Sequence, residues 1–536
     1  MDNVIPAYAG LMLFFMAFLV LKAAFDRLER LFGKKPPTEV SVTPLRGEGL
    51  VAPADASGRA DLARARDPRH PAGFPGIPFG GTHLPLSALY THFAIQGTTG
   101  SGKTVTLEQI LAAVLRGPMA TGPGRVRTVI FDPKGEWPAK AFAWAPPHAE
   151  LVLLHPFDRR GSRWELCRDF RTRADLLQLA ELLVPDDKKD ANPYFRDAAR
   201  AVASAVLTTL AAHRGAWGLG DPLYFARTRE RLRALLALLP ETKDVAGQFL
   251  NARSAKDVVA TLGSCLSKFA PVAACWDRAD TGVSLAEFMD RSGVLILGHD
   301  PTVTAALKGI NRLVVKRLTE LALARQGQDD LTLFAFDEFR QFGRSEGLLD
   351  VAVQGRSSGA SLVVAFQDIN GLDATHDGKT ARELLSLLQN RVFLTAGSAE
   401  AAAYAAGAFG KQEVKEVSPN TSTQTNAGAS VPASTTHSAS TRVTLREVVL
   451  PAEVLGLPPA DPAADRLAGF YQSPVTGGFH HEGPFLAPLR ALPPAGRFPN
   501  IVRRPPGHQA LRPRGRADLT RLGLPATPEL LAAMGL

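Results

Sequence analysis

The residues with the clearest capacity for chemistry lie at 97–104, GTTGSGKT, where Gly97, Gly102, Lys103 and Thr104 fit the pattern G-x-x-x-x-G-K-[ST]. Phe93–Gln96 reads as a short buried strand and the residues from Val105 onward as a helix. Strand, glycine loop and helix together turn the pattern into a phosphate site. In such a loop the backbone N–H groups of Gly97, Thr98, Thr99, Gly100, Ser101 and Gly102 curl around phosphate oxygens. The helix N-terminus adds partial positive charge. Lys103 is expected to reach the β- and γ-phosphates of ATP, and the Thr104 hydroxyl to ligate Mg²⁺. Asp337 closes the apolar run LTLFAF and suits a Mg²⁺-supporting carboxylate, while Glu338, the next residue, is placed to polarise an attacking water. Gln367 ends another apolar run, SLVVAF, and fits either a contact to the γ-phosphate or water, or a polar strand cap. Arg356 precedes that run and fits either an arginine finger completing a neighbouring subunit's site or a surface ion pair. Asp132, Lys134 and Glu136 follow the strand RTVIF; they either position water, metal or a partner group, or form a Pro-Gly turn with solvated charges.

These groups need a scaffold that brings strand ends together. Apolar runs at Leu331–Phe336, at 361–366 and at 391–396 alternate with helical periodicity. Such runs indicate a parallel, doubly wound α/β sheet with ligands at the strand C-terminal ends. Residues 85–170 and 289–480 are expected to form the two parts of a nucleotide-binding domain, and residues 171–288, with helical periodicity and few strand signals, an all-α insertion. The composition is globular, 45% hydrophobic and 21% charged over 536 residues, and permits a sizeable core. A net charge of +9 suits nucleic acid or an anionic membrane face. Cys167, Cys265 and Cys275 lie far apart, without metal spacing, which argues against a disulfide framework.

Residues 4–21 form an uncharged, mostly apolar run about 27 Å long as a helix. Asp2 precedes it, and Lys22, Arg27, Arg30, Lys34 and Lys35 follow it. Residues 1–35 are therefore expected to be a single-pass membrane anchor that leaves the C-terminal bulk in the cytoplasm. The Pro/Gly-rich residues 36–84 read as a linker, the Ser/Thr-rich residues 418–441 as a disordered loop, and residues 481–536 as a Pro/Arg-rich tail with a short helix at Pro528–Met534.

Several of these stretches stand in an order that resembles the coupling proteins of type IV secretion and conjugation, the TraD/TraG class within the FtsK/HerA group of ring ATPases. They are GTTGSGKT, FDPKGEW from Phe131, HPFDRRGSRW from His155, YFRDAARA from Tyr194, FAFDEFRQFG from Phe334, GRSSGASLVVAFQD from Gly355, FGKQEV from Phe409 and VVLPAEVLGLP from Val448. The resemblance implies a RecA-like P-loop ATPase domain with an all-α insertion, a homohexameric ring and a central channel for DNA. It implies Lys103, Thr104, Asp337 and Glu338 as the hydrolytic set, Gln367 as nucleotide sensor and Arg356 as finger. It further implies a bacterial inner-membrane location, inner-membrane type IV secretion components as partners, and a substrate of single-stranded DNA with attached relaxase. The family has two membrane-spanning helices; one is expected here. Two other functions fit the same motifs: a coupling ATPase for protein substrates, and a nucleotide-dependent membrane recruitment scaffold. An ABC-type transporter ATPase is disfavoured by the absence of an LSGGQ-like signature and by the size of the insertion.

Overall fold

The structure is a computed structural model, and it describes residues 16–17, 20–22, 24, 40–186, 193–251, 253–424, 434–496 and 499–536. The chain divides into two compact units. One comprises residues 1–49 and 410–448, the other residues 50–409 and 449–536.

The larger unit is built on a mainly parallel sheet of nine strands among the described residues. In chain order they are β1 (Phe93–Gln96), β2 (Val126–Asp132), β3 (Glu150–Leu154), β4 (Gly293–Gly298), β5 (Leu331–Phe336), β6 (Ala360–Phe366), β7 (Asn390–Phe393), β8 (Leu467–Ser473) and β9 (Gly477–Gly483). Their order across the sheet is β9-β8-β7-β1-β6-β5-β2-β4-β3. From β7 to β3 every pairing is parallel, and β8 and β9 add an antiparallel edge. Strands that alternate faces explain the continuous apolar runs. Leu333 and Ala335 of β5 enter the cluster that holds helix α1 (Lys103–Arg116), whereas Phe334 and Phe336 enter the cluster shared with the helices inserted between β3 and β4.

Those inserted helices include Arg173–Leu183, Tyr194–Ala212, Arg229–Leu236, Pro240–Leu250, Ala255–Ser267 and Ala270–Trp276. The parallel pair of short strands Arg163–Trp164 and Gly282–Val283 closes the excursion where it leaves and rejoins the sheet. Thr172 caps its first long helix in a reciprocal capping box with Asp175.

Three stretches differ from the sequence expectation. Residues 36–84 are not a bare linker. Pro53–Arg66 is a helix that buries Ala56 and Ala60, and Ile77–Phe79 pairs with Thr82–Leu84 through a Gly80-Gly81 turn at φ 55° and 75°. Two successive positive φ values define a type I′ hairpin turn, for which Gly-Gly flanked by apolar residues is the signal. Phe79 packs edge-on against Phe93 of β1, so this hairpin belongs to the core.

Residues 418–424 and 434–441 are not a disordered loop but strand. In the smaller unit, Lys411–Gln424 pairs in antiparallel register with Ser434–Glu447, and Ser41–Arg46 pairs with Lys411–Gln424 on its other side. The stretch is low in apolar residues but rich in Thr, whose β-branched side chain favours an extended backbone.

The Pro/Arg-rich residues 481–536 are not a free tail. Helices Arg516–Leu522 and Pro528–Met534 bury Leu519, Leu522, Leu530 and Met534 in the core shared with the inserted helices. Arg514 has a fully buried side chain; its Nε donates to Asp221 Oδ1 at 3.0 Å and one terminal nitrogen to Asp277 Oδ2 at 2.7 Å. Arg514, which looks solvated in sequence, is here neutralised by two carboxylates more than two hundred residues away.

The membrane-anchor expectation falls on residues 1–35, which, apart from Met16, Ala17, Val20, Leu21, Lys22 and Ala24, lie outside the described residues. No single described helix is long and apolar enough to cross a membrane.

Arg514→Ala would leave Asp277 without its ion-pair partner and the fully buried Asp221 with Arg521 alone. It is expected to destabilise the protein by about 3–5 kcal/mol, read as a lower midpoint of denaturant unfolding. An unchanged midpoint would contradict the tethering role of this arginine.

Candidate nucleotide-binding site

Parallel strands end on one edge. The loop after β1, Asp132 at the end of β2, Asp337 and Glu338 after β5, and Gln367 after β6 therefore share the same side of the sheet. The loop rises from β1, the strand where the sheet order reverses. Gly100 and Gly102 take φ of 79° and 100°, values that side chains rarely adopt, and the space above Gly100 is open. The backbone is thereby wound into the turn that opens α1. The first turn of α1 carries no acidic residue, so its partial positive charge is left for a ligand.

Lys103 is nearly buried, and its Nζ donates to the carbonyls of Gly97 and Thr98 at 2.7 and 2.9 Å. Burial lowers the pKa of its ammonium, and the negative charges of Glu338 and Asp337 oppose that shift. Thr104 Oγ1 donates to Asp337 Oδ1 at 2.9 Å, joining the start of α1 to the end of β5. Glu338 is half-buried; burial raises its carboxyl pKa, and the nearby Lys103 ammonium opposes the rise. Gln367 Nε2 donates to Glu338 Oε2 at 3.2 Å and also lies 3.4 Å from Thr99 Oγ1. The loop, both carboxylates and the glutamine thus line one cleft of about 440 Å³.

The residues suit the group that the motif implies. Thr104 and Asp337 offer two oxygen donors side by side, the hard-ligand chemistry that Mg²⁺ takes together with nucleotide oxygens and water. A cation already stands there: Lys134 Nζ lies 2.8 Å from Thr104 Oγ1 and 3.2 Å from Asp337 Oδ2.

Arg356 is not brought to this cleft. It is exposed at the N-terminal end of β6, on the opposite edge of the sheet, about 23 Å of strand away from Gln367.

The three open positions after β2 separate into different roles. Asp132 is buried and accepts the N–H groups of Lys134, Gly135 and Trp137, so it shapes the turn and the start of helix Trp137–Trp144. Glu136 pairs with Lys140 at 2.7 Å, and Lys140 pairs with Glu108 of α1 at 2.6 Å. Lys134 alone reaches the site.

Other site residues carry no signal that sequence reasoning could have used. Ala460, Pro462, Phe485 and Leu486 form an apolar wall of the cleft, and the Ala460 N–H donates to the Gly100 carbonyl at 3.3 Å. Asp465 holds the wall in place by accepting the Phe485 and Leu486 N–H groups at 2.9 and 2.6 Å.

A parallel α/β sheet with this glycine loop, this strand-end carboxylate pair and a helical insertion defines a P-loop ATPase fold. A family model described as "Type IV secretion-system coupling protein DNA-binding domain" matches residues 76–476, well over half of the chain. The chain belongs to that family. It is 22% identical over 332 residues to the coupling protein TraD of Escherichia coli (strain K12), covering 60% of this chain and 44% of that one. This chain thus spans less than half the length of that relative. The fold is similar to the bacterial conjugative coupling protein TrwBdeltaN70 in an unbound form, at TM-score 0.65 and 18% identity, covering 88% of this chain and 98% of that one. It is also similar to the plasmid coupling protein TrwB in complex with ADP and Mg²⁺, at TM-score 0.62 and 18% identity, covering 88% and 100%.

Proposed function

We propose that this protein is an ATP-hydrolysing coupling protein that moves DNA toward a type IV secretion or conjugation channel. The observation that carries the hydrolytic part is the convergence of Lys103, Thr104, Asp337, Glu338 and Gln367 in a single cleft. Lys103 and the loop amides bind the β- and γ-phosphates. Thr104 and Asp337 hold Mg²⁺, which when bound neutralises charge developing on the phosphates. Glu338 takes a proton from the attacking water, and Gln367, bonded to Glu338, senses whether a γ-phosphate is present.

The transport part is supported by family membership, by the name of the Escherichia coli relative and by the net charge of +9. The substrate in this reading is single-stranded DNA with an attached relaxase. The working form is a homohexamer anchored in the bacterial inner membrane by residues 1–35 beside the inner-membrane secretion components, with the bulk in the cytoplasm. Residues 85–170 and 289–480 form the motor and residues 171–288 its helical domain. The exposure of Arg356 on the far edge supports its use in trans, as a finger in a neighbour's site rather than its own.

Glu338→Gln is expected to keep nucleotide binding and to slow hydrolysis by about 10²-fold or more. A base must be deprotonated, and this carboxyl is raised by burial. Hydrolysis should therefore fall on acidification, with a midpoint above the usual glutamate value of about 4.3. Full turnover in Glu338→Gln would contradict the assignment.

Single-stranded DNA should stimulate hydrolysis, and the stimulation should fade steeply as salt rises. DNA-independent hydrolysis would favour a protein substrate instead, and no hydrolysis under any condition would favour a scaffold. Arg356→Ala should be inactive alone and regain part of its activity when mixed with inactive Lys103→Ala. Absence of rescue would contradict a finger in trans.

A further inference from the structure

Lys134 completes a closed triangle with the two groups that the site offers a metal. Thr104 Oγ1 donates to Asp337 and accepts from Lys134 Nζ, while the same ammonium pairs with the other Asp337 oxygen. The charged side chains lining the cleft are Lys103, Lys134, Asp337 and Glu338, which sum to zero. Without Lys134 the cleft would hold a net negative charge. An ammonium and a divalent ion cannot share this position, because Mg²⁺ would sit about 2.1 Å from the same oxygens.

The backbone of Lys134 is fastened on both sides. Its N–H donates to Asp132 Oδ1 at 3.2 Å, and its carbonyl accepts from Asn500 Nδ2 at 2.8 Å. Asn500 belongs to the C-terminal stretch that continues through Val502, whose N–H donates to Asp158 Oδ2 at 3.1 Å. Movement is therefore left to the side chain, which is half exposed and carries its charge on a flexible four-carbon stem. A lysine ammonium displaced within this cleft gains a strong new anionic acceptor once ligand is bound, the phosphate chain.

We propose that Lys134 is a built-in stand-in for the divalent cation: its ammonium holds Thr104 and Asp337 together until metal and nucleotide arrive, then yields that position and turns to the terminal phosphate. This rests on the reading of Thr104 and Asp337 as the metal-holding pair.

The test titrates Mn²⁺ into the full-length protein, with free Mn²⁺ read by electron paramagnetic resonance, without nucleotide, with ADP and with a non-hydrolysable ATP analogue. Lys134→Met keeps the stem and removes the charge, Lys134→Arg keeps the charge, and Asp337→Asn reports on the metal site itself. Without nucleotide, Lys134→Met is expected to bind Mn²⁺ about tenfold or more tightly than the parent, because a positive charge at the metal position is gone, while Lys134→Arg stays weak. The parent should also prefer the ATP analogue over ADP by a larger factor than Lys134→Met does. Unchanged or weaker Mn²⁺ binding by Lys134→Met would overturn the stand-in role. An equal preference for the analogue in both proteins would overturn the turn toward the terminal phosphate. If Asp337→Asn kept full Mn²⁺ binding in the presence of ADP, the metal-site reading itself would fall, and the proposal with it.

Discussion

The parallel register of β1, β6, β5 and β2 is the constraint on which the rest depends. It stacks four strand ends on one edge, so residues spread over more than two hundred positions meet in one cleft. The Thr104–Asp337 hydrogen bond at 2.9 Å shows how tight that meeting is. It joins the helix after β1 to the end of β5, across the intervening β6. Only a sheet covered on both faces can hold the strands this way, and the alternation of Leu333 and Ala335 with Phe334 and Phe336 supplies apolar side chains to both sides. The same geometry explains why Arg356 is remote: it precedes β6, so it stands at the other end of the strand whose far end presents Gln367.

The helical insertion and the C-terminal stretch form one structure rather than a domain and an appendage. The terminal helices share a core with the inserted helices, and Arg514 is clasped by Asp221 and Asp277. Further back, Arg504 donates to the carbonyls of Pro156 and Gly161 beyond β3, and Asn500 grips the turn that carries Lys134. The C-terminal stretch therefore touches both the wall of the nucleotide cleft and the helical region.

What the sequence made legible was local chemistry. GTTGSGKT carries its own strand, glycines and helix, and Asp337-Glu338 and Gln367 each follow an apolar run long enough to read as a buried strand. What stayed hidden were meanings set by distant partners. Lys134 looks like any turn lysine until the fold brings Thr104 and Asp337 to it. Arg514 looks solvated because its carboxylates, on Asp221 and Asp277, are far away in sequence. Two misreadings had local causes. Counting glycines and prolines in residues 36–84 obscured the hairpin that Gly80-Gly81 marks, and weighing only hydrophobicity overlooked the extended preference of threonine in residues 418–424 and 434–441.

The central claim is that these strand ends form one metal-dependent nucleotide site. The most direct measurement is a structure of the protein with Mg²⁺, ADP and aluminium fluoride, which mimics the phosphoryl group in flight. The expected result places the metal beside the Thr104 hydroxyl and the Asp337 carboxylate, the fluoride group between Lys103 and Gln367, and the Glu338 carboxylate facing the position of the attacking water. A nucleotide seated away from this cleft, or seated in it with Asp337 and Glu338 turned from its phosphates, would contradict the claim.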